Sequence, residues 1–402
     1  MYKTFGIPDN VIDLAKQAEN QALSEFNSKY KEIIEHNQAK VLKAFVANSV
    51  SPQHLLPSYG YGYGDTARDV VDKVFADVFG MENALVRPNF INGTHTIKTA
   101  LWSVLRSGDT LLSITGTPYD TLKDAIHSKN QGSLSDFGIE YKEVQLKNGV
   151  LDEQEILNTI EKIKPKAVFI QKSKGYQNRK ALATSQINEM INKIKNVHNS
   201  IVMVDNCYGE FCEKEEPKAD LLAGSLIKNP GGTIAKTGGY IAGKAEYVSL
   251  ACNHLTSFGI GKEAGGNLGI AESILQGLWF APIVVGEAIK TALFAENLYN
   301  LPREEMYDIV KQIPLNSPEK LMNFCQAIQS LSPIGSNQRP VPWEMPGYDA
   351  KVIMASGAFV EGCSLEISAD GKFVEPYTAY LQGGSSFDYA KYAVALAFSK
   401  TM

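Results

Sequence analysis

Asp205 and Lys228 are the two residues whose surroundings most strongly suggest chemistry. Asp205 ends the apolar run 201–204, so we expect it at the carboxyl edge of a buried strand, where open α/β sheets bind ligands. Lys228 follows between small and apolar residues and directly precedes an Asn-Pro-Gly-Gly turn. This setting is unusual for a solvated lysine. Each residue alone has a structural explanation, so their interpretation depends on what accompanies them.

Two further segments precede this pair. Residues 92–95, Asn-Gly-Thr-His, open a predicted helix, and their small side chains leave backbone N–H groups free to bind an anion. Tyr119 follows the next predicted strand. The chain thus supplies an anion cradle, an aromatic ring, a carboxylate and an amine. Pyridoxal phosphate needs all four, for its phosphate, its ring, its pyridine nitrogen and its aldehyde.

Alternating strands and helices must position these residues. Two continuous apolar runs, 167–170 and 201–204, are typical of strands covered on both faces. Strands are predicted at 84–87, 110–114, 139–145, 167–171, 201–205 and 239–243, and helices begin near 65, 94, 119, 152, 185 and 245. This alternation predicts an α/β fold with a mainly parallel sheet.

The pattern divides the chain into three regions. Residues 1–57 read as a helical arm, with one long helix from 9 to 33 and a second from 39 to 46. Residues 58–282 form the large α/β domain. Residues 283–402 are predicted as a smaller α+β domain, with helices at 284–299 and 389–399 and antiparallel strands at 352–354 and 363–367.

Composition excludes several classes of protein. The 402 residues carry a formal net charge of −5, which lacks the basic surface that nucleic-acid binding requires. The longest apolar stretch, 278–285, is too short to span a membrane. Five cysteines without a framework spacing indicate reduced thiols. Together with an N-terminus that lacks a signal-peptide core, this predicts a cytoplasmic protein.

Four other features of the sequence do not identify a binding site. Residues 62–67 fit a loose GxGxxA pattern but follow a Pro- and Tyr-rich loop, and 231–237 resemble a phosphate loop with Ala235 in place of the required glycine. The cysteines lack zinc spacing. The acidic residues of 210–216 are interpreted as a solvated loop. No metal site is predicted.

The order and spacing of these segments resemble the fold-type I pyridoxal-phosphate enzymes of cysteine and methionine metabolism. Within that group, the chain resembles the aluminium-resistance, or methionine gamma-lyase-like, family. The segments that carry the resemblance are 59–68 with its YGYGDTAR run, 87–95, 204–210, 223–243 with AGSLIKNPGG, and 380–384.

The resemblance implies a role for each matching residue. Lys228 would hold the cofactor as a Schiff base and, once freed by the substrate amine, would remove the α-proton. Asp205 would pair with the pyridine nitrogen, and Tyr119 would stack on the ring. Contacts to the phosphate would come from Gly93, Thr94 and Ser225.

The resemblance also implies a homodimer or homotetramer with shared active sites. In the family a tyrosine and an arginine reach the partner's phosphate, and Tyr61 or Tyr63 with Arg68 are the candidates here. The sequence departs from its relatives at Ile227, where a hydroxyl residue is usual. It also lacks the C-terminal arginine that binds the substrate carboxylate in the family, and Arg179 and Arg339 are the candidates to replace it.

The implied function is a carbon–sulfur lyase that acts on a sulfur amino acid of the cystathionine, cysteine or methionine type by β- or γ-elimination. An alternative keeps the cofactor but catalyses an aldolase, racemase or desulfurase reaction, because fold does not fix which bond breaks. A third hypothesis is metal binding by the acidic run 210–220, without catalysis.

Overall fold

A seven-stranded sheet forms the centre of the larger part of the molecule; the computed structural model describes residues 1–402. Its strands are β1 Asn83–Arg87, β2 Thr110–Ser113, β3 Glu140–Glu143, β4 Ala167–Gln171, β5 Ile201–Asp205, β6 Leu221–Ser225 and β7 Gly239–Gly243. Their order is β1-β7-β6-β5-β4-β2-β3. Only β7 is antiparallel to its neighbours. The prediction of an α/β fold with a mainly parallel sheet is confirmed.

The continuous apolar strands are buried on both faces, as their sequence predicts. In β4, Val168 and Ile170 belong to one hydrophobic core, while Ala167 and Phe169 belong to a second core across the sheet. The helices of this part are α3 Thr66–Phe79, α4 Gly93–Val104, α5 Asp120–His127, α6 Glu153–Ile163, α7 Thr184–Val197 and α8 Ala245–Leu255. Side chains that alternate between two cores explain why no polar face appears in the strand sequences.

The N-terminal arm consists of two helices, α1 Asp9–Lys29 and α2 Lys31–Ala47. The single helix predicted over 9–33 is therefore wrong, because it is interrupted at Tyr30. The Tyr30 hydroxyl accepts the N–H of Met306 at 3.0 Å and donates to Glu305 at 3.1 Å. This anchors the junction of the two helices to the C-terminal part of the chain.

The C-terminal part is built on a four-stranded antiparallel sheet in the order β8-β11-β10-β9. Its elements are α9 Ala271–Leu298, β8 Val310–Pro314, α10 Pro318–Ser330, β9 Val352–Ser356, β10 Ser368–Lys372, β11 Thr378–Gln382 and α11 Phe387–Ser399. The strand predicted at 363–367 is wrong, because the strand begins at Ser368. The boundary expected near residue 283 falls within the continuous helix α9.

Helix α9 is long and apolar enough to cross a membrane. However, 72% of its most apolar window is buried inside the protein. It packs against α1, α2 and α11, and Val285, Ile289 and Phe294 are fully buried. Its composition is therefore that of a core helix.

The loop that carries Lys228 rests directly on α9. A Cβ atom on Gly232 would collide with the carbonyl oxygen of Gly277 in α9, and one on Gly277 would collide with that of Gly231. Gly232 also has a φ of 51°, in the left-handed region. The glycines after Lys228 therefore allow two backbones to touch, which fixes the lysine loop to the helix.

Replacing Asp72 with alanine should lower the free energy of unfolding by about 3–5 kcal/mol. Its carboxylate accepts two hydrogen bonds from the guanidinium of Arg87, at 2.7 and 3.0 Å, and both side chains are buried. The substitution leaves Arg87 buried without a counterion. Urea unfolding measures the loss, and exposed Asp77 on the same helix provides the control, Asp77→Ala. Equal urea midpoints for the two variants would contradict a stabilising pair.

Candidate active site

A cavity of about 400 Å³ opens at the carboxyl ends of β4, β5 and β6. The large sheet supplies one wall, through Gln171, Asp205 and Ser225 at the last positions of these strands. The small sheet supplies the opposite wall, through Asp370 and Gln382. The cavity lies where a doubly wound sheet is expected to bind its ligand.

Asp205 and Lys228 both line this cavity, as the sequence predicts. The Asp205 carboxylate is buried and accepts the backbone N–H of Cys207 at 3.1 Å. Burial raises its pKa to about 6. The Lys228 ammonium donates to the carbonyl oxygen of Gly362 at 2.6 Å and lies 5.1 Å from the ring centre of Tyr208. The structure thus places a buried carboxylate and an amine in one cavity.

The first turn of α4 forms an anion cradle beside them. Asn92 caps the helix by accepting the N–H of His95 at 2.8 Å. The N–H groups of Gly93 and Thr94 have no partner within the helix. A Cβ on Gly93 would lie 3.5 Å from the Cβ of Ser225, whose buried hydroxyl has no hydrogen-bond partner. An orphaned hydroxyl at a helix N-terminus fits the phosphate of a cofactor.

Tyr119 stands at the edge of the same cradle. Its hydroxyl lies 3.1 Å from that of Thr94, and its backbone N–H donates to Gln171 at 3.2 Å. Burial raises the pKa of its phenol well above the usual range, so the ring is neutral at physiological pH. The aromatic residue predicted next to the anion site is therefore adjacent to it.

Tyr61, Tyr63 and Arg68 do not line the cavity of their own chain. The two tyrosines are exposed, and their rings stack with centres 5.3 Å apart. The buried guanidinium of Arg68 donates to the carbonyl oxygens of Gly62 at 3.0 Å and Gly265 at 3.2 Å. Within one chain, Arg68 holds two loops together. Its contact with a partner's phosphate stays a prediction.

The arginines suggested for the substrate carboxylate also lie outside the cavity. Arg179 is buried and donates to the carbonyl oxygens of Gln171 and Lys180, and burial lowers its pKa to about 10. Arg339 is exposed and donates to Gln326 at 3.0 Å. In this structure neither is in a position to bind a substrate in the cavity.

The acidic segment 210–216 is only in part the solvated loop that its sequence suggested, because Glu215 is exposed whereas Glu210 and Glu216 are buried. Glu210 is fully buried and accepts the hydroxyl of Tyr240 at 2.8 Å. Glu216 is buried and accepts the amide of Asn206 at 2.8 Å. These carboxylates are taken up by the protein itself, and no cluster of three or more metal-ligating side chains is placed to hold an ion.

Sequence reasoning missed the wall that the small sheet contributes. Asp370 and Gln382 lie on β10 and β11, and Tyr176 and Tyr348 come from loops. In the sequence, the one feature that could have indicated this wall is the presence of polar residues in strand-length segments close to a glycine-rich turn. That signal does not identify which cavity they face.

Comparison with known proteins decides the family. The model of the methionine gamma-lyase family matches residues 11–402. The chain belongs to the methionine gamma-lyase family. It is 46% identical over 396 residues to YnbB of Bacillus subtilis, and the match covers 94% of each chain.

Solved structures agree with the methionine gamma-lyase assignment. A proposed cystathionine beta-lyase involved in aluminum resistance from Clostridium acetobutylicum superimposes with a TM-score of 0.96 at 46% identity, covering 100% of this chain and 97% of that one. A carbon-sulfur lyase involved in aluminum resistance from Clostridium novyi superimposes with a TM-score of 0.94 at 43% sequence identity. The match covers 100% of this chain and 98% of that one. The protein is an enzyme with the fold-type I architecture, and the cofactor of its family is pyridoxal phosphate.

Ser225→Ala should weaken cofactor binding by roughly tenfold, because a hydrogen bond to a charged group is lost. Titration of the cofactor-free enzyme with pyridoxal phosphate, followed by visible absorbance, measures the dissociation constant. Exposed Ser330, far along the chain on α10, provides the control Ser330→Ala. An unchanged constant for Ser225→Ala would remove its hydroxyl from the phosphate site.

Proposed function

We propose that this protein is a carbon–sulfur lyase that releases a thiol, a keto acid and ammonia from a sulfur amino acid by β- or γ-elimination. The observation that supports it is one cavity that contains Lys228, Asp205 and the anion cradle at Gly93 and Ser225. When bound, pyridoxal phosphate supplies an electron sink that stabilises negative charge at the α-carbon of the substrate.

The residues of the cavity would hold the cofactor by its distinct groups. Lys228 would bind its aldehyde, and Asp205 would pair with the pyridine nitrogen, which gives this buried carboxylate the counterion it lacks in the protein alone. The cradle formed by Gly93, Thr94 and Ser225 would bind the phosphate. Tyr119 would lie beside the ring.

Lys228 would also move the α-proton. It is the sole basic side chain that lines the cavity, so it is the residue able to accept a proton from the α-carbon at its Nζ atom. The Gly362 carbonyl that accepts from Nζ would orient it. For γ-elimination, which needs a second proton transfer, Tyr61 or Tyr63 of a partner subunit remain the candidates.

The cavity thiols argue against a desulfurase-type reaction. Accepting sulfur requires a thiolate. Burial raises the pKa of Cys363 to about 12 and raises that of Cys207 well above the usual range. Both side chains are therefore thiols at neutral pH, which favours elimination over sulfur transfer to the protein.

We further propose a cytoplasmic homodimer or homotetramer in which Tyr61 or Tyr63, together with Arg68, contacts the partner's phosphate. The loop 59–63 is hydrogen-bonded to the loop 265–268, and both expose large apolar side chains. The exposed set is Tyr59, Tyr61, Tyr63 and Leu268. Exposed apolar patches of this kind mark interfaces. A light-scattering mass of one chain at working concentration would contradict the proposal.

The test is product analysis with cystathionine, cysteine and methionine. Pyruvate with homocysteine from cystathionine would identify β-elimination, and oxobutyrate with cysteine would identify γ-elimination. Oxobutyrate with methanethiol from methionine would identify γ-elimination there. No keto acid from any of the three would contradict the lyase function.

A further inference from the structure

The small sheet turns a polar face toward the cavity. Ser368 and Asp370 are two apart on β10 and therefore point to the same side. Gln382 on β11 is paired with Ser368 and lines the cavity with them. All three are buried. Because burying polar groups costs free energy unless they are hydrogen-bonded, a buried polar sheet face indicates a surface that contacts a ligand.

Asp370 is the carboxylate of this cavity that has neither an ion pair nor an assigned role with the cofactor. Three aspartates line the cavity, against the single basic residue Lys228. Asp120 is paired with Lys372 at 2.8 Å, and Asp205 is assigned to the cofactor. The Gln382 amide lies 3.3 and 3.4 Å from the two Asp370 oxygens, and a hydrogen bond with the Tyr176 side chain also lowers the Asp370 pKa. Burial raises its pKa to about 7, and Lys228 offsets this only in part.

Two aromatic side chains flank Asp370. Tyr176 and Tyr348 line the same cavity with ring centres 6.0 Å apart and planes inclined by 51°. Burial, followed by the charge of Asp370, raises the pKa of both phenols. Aromatic faces beside a carboxylate form a site that favours a cation, since the ring quadrupole and the anion attract it together.

We propose that Asp370, with Tyr176 and Tyr348, binds a second ammonium group of the substrate, at the end remote from the reacting α-carbon. The inference rests on the proposed lyase function and narrows its substrate class. The cavity would select a diamino acid of the cystathionine type over methionine or cysteine, which have no second ammonium group.

The test compares two ligands that have no carbon–sulfur bond. Diaminosuberic acid has the length of cystathionine and an amino group at each end, whereas aminosuberic acid lacks one of them. Calorimetric titration of the holoenzyme should show that diaminosuberic acid binds roughly tenfold more tightly, as expected for a charge-assisted hydrogen bond. Asp370→Asn should reduce the ratio of the two dissociation constants, aminosuberic acid over diaminosuberic acid, to about one. The dissociation constant of aminosuberic acid should stay as in the wild type.

Asp388→Asn makes the same chemical change at an exposed carboxylate on α11 and should keep the wild-type ratio. Retained binding of aminosuberic acid by Asp370→Asn shows that the variant is folded. A wild-type ratio near one, an unchanged ratio in Asp370→Asn, or no binding of either ligand would overturn the subsite. Neither ligand can be cleaved, so the result is independent of whether cystathionine yields a keto acid.

Discussion

Lys228→Ala should reduce keto-acid release by at least about a thousandfold, because one substitution removes both the covalent attachment point and the base. Lys228 is the sole amine that lines the cavity, so no neighbouring side chain can replace it. Keto-acid release at saturating pyridoxal phosphate measures the loss. Borohydride treatment followed by peptide mass mapping should find a pyridoxyl group on Lys228 in the wild type.

Lys236→Ala is the matched control, since Lys236 lies in the same loop but is exposed. It should keep wild-type activity and the pyridoxyl label on Lys228. A label on another lysine, or near wild-type activity of Lys228→Ala, would contradict the assignment of Lys228.

Asp205→Asn should lower the turnover number by about a hundredfold or more. Without this carboxylate the buried pyridine nitrogen would lose its proton, and the cofactor would then withdraw electrons from the α-carbon less strongly. The amide can still accept the N–H of Cys207, so the local backbone need not move. Turnover at saturating pyridoxal phosphate separates this effect from weaker cofactor binding.

The same variant should be more stable than the wild type when the cofactor is absent. The pKa of Asp205 is about 6 in the folded protein, against roughly 4 in an unfolded chain. Between these values the folded state binds a proton that the unfolded state has released, so wild-type stability falls as the pH rises through this window. At neutral pH Asp205→Asn should avoid a cost of about 2–3 kcal/mol.

Urea unfolding of the two cofactor-free proteins at pH values below and above this window measures the difference. Higher stability and lower turnover of Asp205→Asn than of the wild type would show that the Asp205 carboxylate promotes catalysis but destabilises the cofactor-free fold. Lower stability of Asp205→Asn at neutral pH would instead indicate a structural role for its carboxylate.

The large sheet could be predicted because its strands carry strong local signals. β4 and β5 are apolar at nearly every position, and their predicted bounds agree with the structure. β6 was missed. Its sequence, Leu-Leu-Ala-Gly-Ser, contains small residues with low strand propensity. It forms a strand because it lies between β5 and β7, and this pairing is not visible from local sequence.

The candidate site shows the same limit. Asp205 and Lys228 stand next to strong signals, a buried strand and a glycine turn, so the sequence alone could identify them. Asp370 lies in β10, whose sequence Ser-Ala-Asp-Gly-Lys has no strand pattern. The sequence instead predicts a strand at the more apolar segment 363–367. A strand that faces a polar cavity loses the alternation on which sequence-based prediction depends.

Helix α9 has a consequence for how the molecule unfolds. With 28 residues it is about 42 Å long, and it contributes to the packing of the N-terminal arm, the lysine loop and the small sheet. If the chain is cut at residue 283, within this helix, neither the part with the large sheet nor the part with the small sheet retains its core. We therefore expect the two sheets to unfold in one cooperative transition, and a fragment ending at 282 to expose apolar surface and aggregate.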